Sequence, residues 1–166
     1  TWTTHMRFEK SLLEDQVWQD AKESGCKYLH FGYESGNERV LKLMDKATTT
    51  EIMTKHLKYT AEAGIWNHCM GFFGFPGETK EEAWSSVEFL EQNKDYVHSL
   101  GFGTFDLGRH NPVAKHPDKW GVTAYKNPEW DLALDYYYTV KNGMSIEEAE
   151  RVFQQFEQNH YAGWDL

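Results

Sequence analysis

The chain has 166 residues, 40% of them hydrophobic, and a formal net charge of −9 at pH 7; that is enough to bury a core and too acidic for the basic face that nonspecific nucleic-acid binding requires. No apolar run is long enough to cross a bilayer and the N-terminus lacks the basic and apolar regions of a secretory signal, so neither nucleic acid nor membrane is expected as a partner. Cys26 and Cys69 lie far apart and in no Cys-x-x-Cys pair, which reads as two free thiols in a reducing, cytoplasmic setting.

Trp2 to Phe8 reads as a strand with Arg7 near its end, followed by a helix that a Ser11-x-x-Glu14 capping box opens and Gly25 stops. Lys27 to Tyr33 is the second strand. Its alternation puts Tyr28, His30, Gly32 and Glu34 on one side and Leu29, Phe31 and Tyr33 on the other, and the first, more polar set is aimed into a barrel lumen. Ser35-x-x-Glu38 then opens a short helix, and Thr48-x-x-Glu51 opens a longer one that ends at Gly64. Trp66 to Phe75 is the third strand, turned by Pro76 and Gly77 into a helix capped by Thr79-x-x-Glu82. Val97 to Leu107 is the fourth, with Gly101 and Gly103 where a backbone or ligand can approach closely.

This β-α-β-αα-β-α-β alternation implies parallel pairing with right-handed crossovers. Beyond Arg109 the dipeptides Asn111-Pro112, His116-Pro117 and Asn127-Pro128 break regular structure, and Ser145-x-x-Glu148 opens a tail helix. Residues 1–110 are therefore read as the βα array and 111–166 as an irregular and helical C-terminal extension. Ligands meet strand ends and helix starts in such folds, so Arg7, Glu34, Phe75 and Asp106 are expected on one rim. His30, Arg109 and His110 are also placed near strand ends, where substrate would bind. Each of these also reads, on its own, as a core histidine, a surface ion pair or a cap. The histidines have no metal-ligand spacing and no Ser/His/Asp constellation can be assigned, so no metal site and no catalytic residue is named.

The string FGYESGNERVLKLMDK followed by AGIWNHCMGFFGFPGET resembles the radical S-adenosylmethionine enzymes, most of all the branch that often carries a cobalamin-binding domain, and more distantly the oxygen-independent coproporphyrinogen oxidases. The resemblance implies an α/β fold, a partial TIM-type barrel, with about four parallel βα units of a six-unit barrel present here. It implies S-adenosylmethionine as cofactor, a 4Fe–4S cluster and, in that branch, cobalamin. The intact enzyme would cleave S-adenosylmethionine reductively to a 5′-deoxyadenosyl radical that abstracts hydrogen from a small-molecule or peptide substrate, with methyl transfer from cobalamin as a further step. The family's Cys-x-x-x-Cys-x-x-Cys cluster motif is absent from this sequence. The chain is accordingly read as the C-terminal part of such an enzyme, expected to be inactive and to self-associate without the N-terminal part of the barrel. A non-catalytic βα module that binds a nucleotide-like ligand or a partner protein is the alternative.

Carried over residue by residue, the resemblance makes Glu34 an acceptor for the ribose hydroxyls of S-adenosylmethionine, Lys46 a partner of the cofactor carboxylate, and Gly74, Phe75 and Pro76 the turn against which adenine packs. Read from the residues alone, Glu34 could instead accept from backbone N–H groups of its turn, Lys46 could be a solvated helix-end lysine, and Phe75 could be core.

Overall fold

A computed structural model describes residues 1–125 and 134–159. Four parallel strands, β1 (Trp2–Met6), β2 (Cys26–Glu34), β3 (Trp66–Phe73) and β4 (Ser99–Thr104), lie side by side in chain order. The connections are α1 (Asp15–Glu23), the pair α2 (Glu38–Leu43) and α3 (Thr50–Glu62), and α4 (Lys80–Gln92). Beyond β4 come the short helix α5 (Pro112–Lys115), an antiparallel ribbon of β5 (Val122–Tyr125) and β6 (Tyr137–Val140), and α6 (Ile146–Asn159). The sequence led us to expect only irregular and helical structure in this last part, so the ribbon is an addition. The Asn127-Pro128 break lies outside the described residues.

Strand alternation decides what each face of the sheet buries. On the helix side Leu29, Phe31 and Tyr33 of β2, Cys69 and Phe73 of β3 and Leu100 of β4 join one cluster with Met53 and Leu57 of α3, Leu90 of α4 and Phe156 of α6. Each fully buried aromatic or aliphatic side chain here contributes about 1.5–3 kcal/mol. The other face carries the polar set. His5, His30 and His68 stand in register across β1, β2 and β3, with His5 stacked on His30 at 4.4 Å and His30 edge-on to His68 at 5.3 Å. Below them Ser99 Oγ takes a hydrogen bond from Trp66 Nε1 at 3.1 Å and is bonded to the Tyr28 hydroxyl at 3.0 Å and His68 Nδ1 at 2.8 Å.

Helix starts follow local chemistry with three departures from the sequence reading. The Thr79–Glu82 capping box of α4 forms, and Ser145 and Glu148 exchange bonds at the start of α6. Ser11 does not cap. It lies inside a 3-10 turn over Lys10–Leu12, and α1 starts only at Asp15, with buried Trp18 of that helix donating its indole N–H back to the Leu12 carbonyl at 3.1 Å. Ser35 does not cap either: it is buried against Ser86 of α4 at 2.9 Å, and Asn37 accepts from the N–H groups of Arg39 and Val40 instead. The cap of α3 is Thr49 rather than Thr48, with the Glu38 carboxylate taking the Thr50 N–H at 2.7 Å.

Candidate functional site

The C-terminal ends of β2, β3 and β4 open onto a cavity of about 470 Å³. Glu34 enters it from the end of β2. The β2–β3 register shifts between Gly32 and Glu34, and Glu34 takes a left-handed backbone, φ 62°. Its carboxylate folds back over Gly32, where an added Cβ would lie 3.1 Å from Oε1. Among the described residues the other non-glycine left-handed backbone is Asp45, φ 58°. It ends α2 in a Schellman turn, with Lys46 N donating to Leu41 O at 2.9 Å and Asp45 N to Lys42 O at 3.1 Å. That turn aims the Lys46 ammonium at Glu34 Oε1, 2.8 Å away. Both strained backbones thus flank one ion pair on the cavity wall, a kind of place where such strain collects.

Aromatic rings form the apolar wall. Phe75 meets Phe105 edge-on at 5.3 Å and Trp120 at 5.4 Å, and Phe72 lies 5.7 Å from Phe105. Phe105 continues the β3 ladder past the end of β4 by donating its N–H to Phe73 O at 2.9 Å. Thr104, Asp106 and Asn111 line the cavity beside these rings. Burial, and then the charge of Asp135, lift the Asp106 carboxyl above its ordinary range.

The Phe75 turn is held from behind by a residue that sequence reasoning passed over. Glu78 is fully buried, and its Oε2 accepts the Gly74 N–H at 2.6 Å while Oε1 has no partner. Burial raises this carboxyl to about 7, against the lowering effect of the Gly74 and Phe75 N–H groups. The only sequence signal was its place in the Gly-Glu-Thr turn. Gly74 has φ 87°, and an added Cβ would sit 2.5 Å from Ala149 Cβ of α6. Its glycine is therefore required by backbone and helix packing, and neither Gly74 nor Pro76 lines the cavity.

The structure thus brings Glu34, Lys46, Phe75 and Asp106 together around one space. Arg7 lies in a separate recess of about 90 Å³ that shares Lys46 with it. His30 is a correction: it stands in the middle of β2, in the histidine row and away from the strand's end, because β2 runs on to Glu34. Arg109 follows β4, its N–H donating to Leu134 O at 3.0 Å, and is not among the cavity residues. Trp120 was not singled out in the sequence. It reaches the cavity from a 3-10 turn, Pro117–Trp120, ended by left-handed Gly121.

A carboxylate paired with a lysine, and a second carboxylate lining the same space beside an aromatic wall, can take a ligand with a flat π-face and several hydroxyl donors. A cluster of iron and sulfide does not fit the thiols present. Cys26 and Cys69 are both fully buried and lie on different strands, and burial raises both thiols, so neither is a ready thiolate. Among the described residues no helix is long and apolar enough to span a membrane.

The family profile described as the Radical SAM superfamily matches residues 3–90. An uncharacterized methyltransferase of Pyrococcus horikoshii is 31% identical over 94 residues, which is 55% of this chain and 20% of that protein. The chain thus spans only about a fifth of the length of that curated relative. Among solved structures, coproporphyrinogen III oxidase of Escherichia coli, titled a radical SAM enzyme, aligns with a TM-score of 0.66 at 15% identity, over 94% of this chain and 31% of that one. The radical S-adenosylmethionine methyltransferase TsrM of Kitasatospora setae, titled as bound to cobalamin and a [4Fe-4S] cluster, gives 0.62 at 16% identity, over 91% and 30%.

Proposed function

The chain belongs to the radical S-adenosylmethionine superfamily, and from that premise we propose that its cavity is the adenosyl end of an S-adenosylmethionine site in a larger enzyme. The observation that carries this is the meeting of Glu34, the Phe75 turn and Asp106 at the C-terminal edge of the parallel sheet, in one space of about 470 Å³. The donor set fits the group. Glu34 would accept from the ribose hydroxyls, the rings of Phe75, Phe105 and Trp120 would face the purine, and Lys46 would hold the Glu34 carboxylate and balance anionic charge.

When bound beside a reduced 4Fe–4S cluster, S-adenosylmethionine supplies hydrogen-abstracting radical chemistry. The residues of this chain would bind and orient it and exclude water; the cluster ligands are not among them. In this reading residues 1–110 belong to the barrel, and 111–166 form an extension that contributes the Asn111 and Trp120 wall. The substrate is a small molecule or peptide, cobalamin-dependent methyl transfer is the outcome favoured by the methyltransferase relatives, and two buried free thiols suit a cytoplasmic setting.

Calorimetric titration of the chain with adenosine tests the site. Glu34→Gln should weaken binding about tenfold or more, the loss of charge-assisted hydrogen bonds, and Phe75→Ala should weaken it further. Adenosine affinity unchanged by both substitutions would sink the assignment.

A further inference from the structure

Among the described residues, the polar side chains lining the cavity of about 470 Å³ fall into two groups. Glu34, with its Lys46 partner, stands at the end of β2, whereas Thr104, Asp106 and Asn111 stand at and beyond the end of β4. Strand β3 lies between them and contributes the ring of Phe72 and, from the turn that follows, that of Phe75. Two strand spacings are about 10 Å, the reach of a nucleoside from its ribose hydroxyls to the far edge of its base. A ribose held at Glu34 therefore sets a base edge against the β4 group.

Backbone bonds fix that group. Phe105 N donates to Phe73 O at 2.9 Å, so Asp106 follows directly on the last rung of the sheet. Gly108 N then donates to Asp106 O at 3.1 Å and Asn111 N to Gly108 O at 2.9 Å, two successive turns that return the chain to the same rim. Asn111 caps α5, its Oδ1 accepting the Val113 N–H at 2.9 Å. Only the oxygen of the amide can accept from a backbone N–H, so this bond settles which way the amide points and leaves Nδ2 as the group it offers to a ligand. Asp106 offers carboxylate oxygens, which accept.

A purine lying against Phe75, Phe105 and Trp120 turns its faces to the rings, and its identity is then read along its edge. In adenine the group at position 6 is a donor beside a ring-nitrogen acceptor, whereas in guanine it is an acceptor. An acceptor beside a donor complements the first pattern and sets a carboxylate against a carbonyl oxygen in the second. We infer that Asp106 and Asn111 are specificity-determining residues of this site, Asp106 accepting from the exocyclic amine of a 6-aminopurine and Asn111 Nδ2 donating to the ring nitrogen next to it. The inference rests on the cavity holding the adenosyl group and adds which edge of the base is read, and by which side chains.

Calorimetric titration of the 166-residue chain with three nucleosides tests it: adenosine, inosine, which has an oxygen at position 6, and purine riboside, which has only hydrogen there. Adenosine should bind about tenfold more tightly than purine riboside, the loss of one hydrogen bond to a charged group, and inosine should bind more weakly than either. An amide can donate to O6, so Asp106→Asn should narrow the adenosine-to-inosine ratio about tenfold while purine riboside stays within twofold. Asn111→Asp keeps the Val113 cap and removes the donor; it should weaken adenosine and purine riboside alike, severalfold, with their ratio unchanged. Equal binding of adenosine and inosine, or a ratio that survives Asp106→Asn, would overturn the part given to Asp106 and leave the adenosyl cavity standing. Adenosine affinity unchanged in Asn111→Asp would overturn the part given to Asn111, and no binding of adenosine to the unaltered chain would overturn the cavity assignment and this inference together.

Discussion

Glu78 makes the stability of this chain depend on pH in a direction opposite to most acidic residues. Its carboxyl is fully buried, one oxygen is unpartnered, and burial raises it from 4.5 to about 7. A native carboxyl raised above its unfolded value binds more protons in the fold than out of it. The folded state is therefore favoured below about 4.5 and loses that advantage as pH rises to about 7. The gap corresponds to about 3 kcal/mol of penalty well above neutrality. Glu78→Gln removes the ionisation and keeps an oxygen that can accept from Gly74. Urea unfolding of both proteins at pH 5 and 8.5 should show the variant gaining on the wild type by about 2 kcal/mol between the two pH values. Arg39 and Glu82 also act electrostatically on the carboxyl, one lowering and one raising it, and neither is altered by the substitution. A difference between the two proteins that is the same at both pH values would refute the reasoning.

Three further outcomes follow. Gly74→Ala should cost about 2–4 kcal/mol, from the left-handed backbone and the overlap with Ala149 Cβ; adding Ala149→Gly should recover only the overlap, giving a favourable coupling of about 1 kcal/mol or more in a double-mutant cycle. Glu34→Gly should raise unfolding stability by up to about 1 kcal/mol by relaxing φ 62° while adenosine binding falls at least tenfold, a separation readable by denaturation and calorimetry. In the Glu78→Gln background, acid should destabilise. His30, His56 and His68 are all lowered chiefly by desolvation, so their contribution is present above about 6.5 and lost as pH falls below it; the melting temperature measured at pH 7 and 5 should fall, and His30→Phe should reduce the fall.

Much of this architecture is legible in order along the chain. Strand alternation separated Leu29, Phe31 and Tyr33 from His30, Gly32 and Glu34, and Thr79 and Ser145 announced their helices, because those signals depend on neighbours in sequence. What failed depended on partners far away. Ser35 has the spacing of a cap, yet its hydroxyl is claimed by Ser86, and nothing near Ser35 reports that. Gly74 reads as a turn residue, but its space is set by Ala149. Glu78 reads as one more acid at a helix start, and only its burial makes it unusual. The pairing of Asp135 and Tyr136 with Gly108 and Leu107 was invisible because it joins positions far apart in sequence through backbone groups alone.

The strands lie in the sheet in the order in which they are made, so a growing chain can add each βα unit to an edge already finished, without threading or rearrangement. The helix face of β3 and β4 is the exception. Phe156 covers Phe73 at 5.6 Å and Phe102 at 5.2 Å, and it emerges from the ribosome after everything it covers. Until then the aromatic face is bare and the Gly74 turn lacks the helix that packs on it. Docking of α6 is therefore the committing step for this part of the fold, and a chain stopped before Ser145 would present that face to chaperones, or to other nascent chains, as a sheet without the helix that covers it.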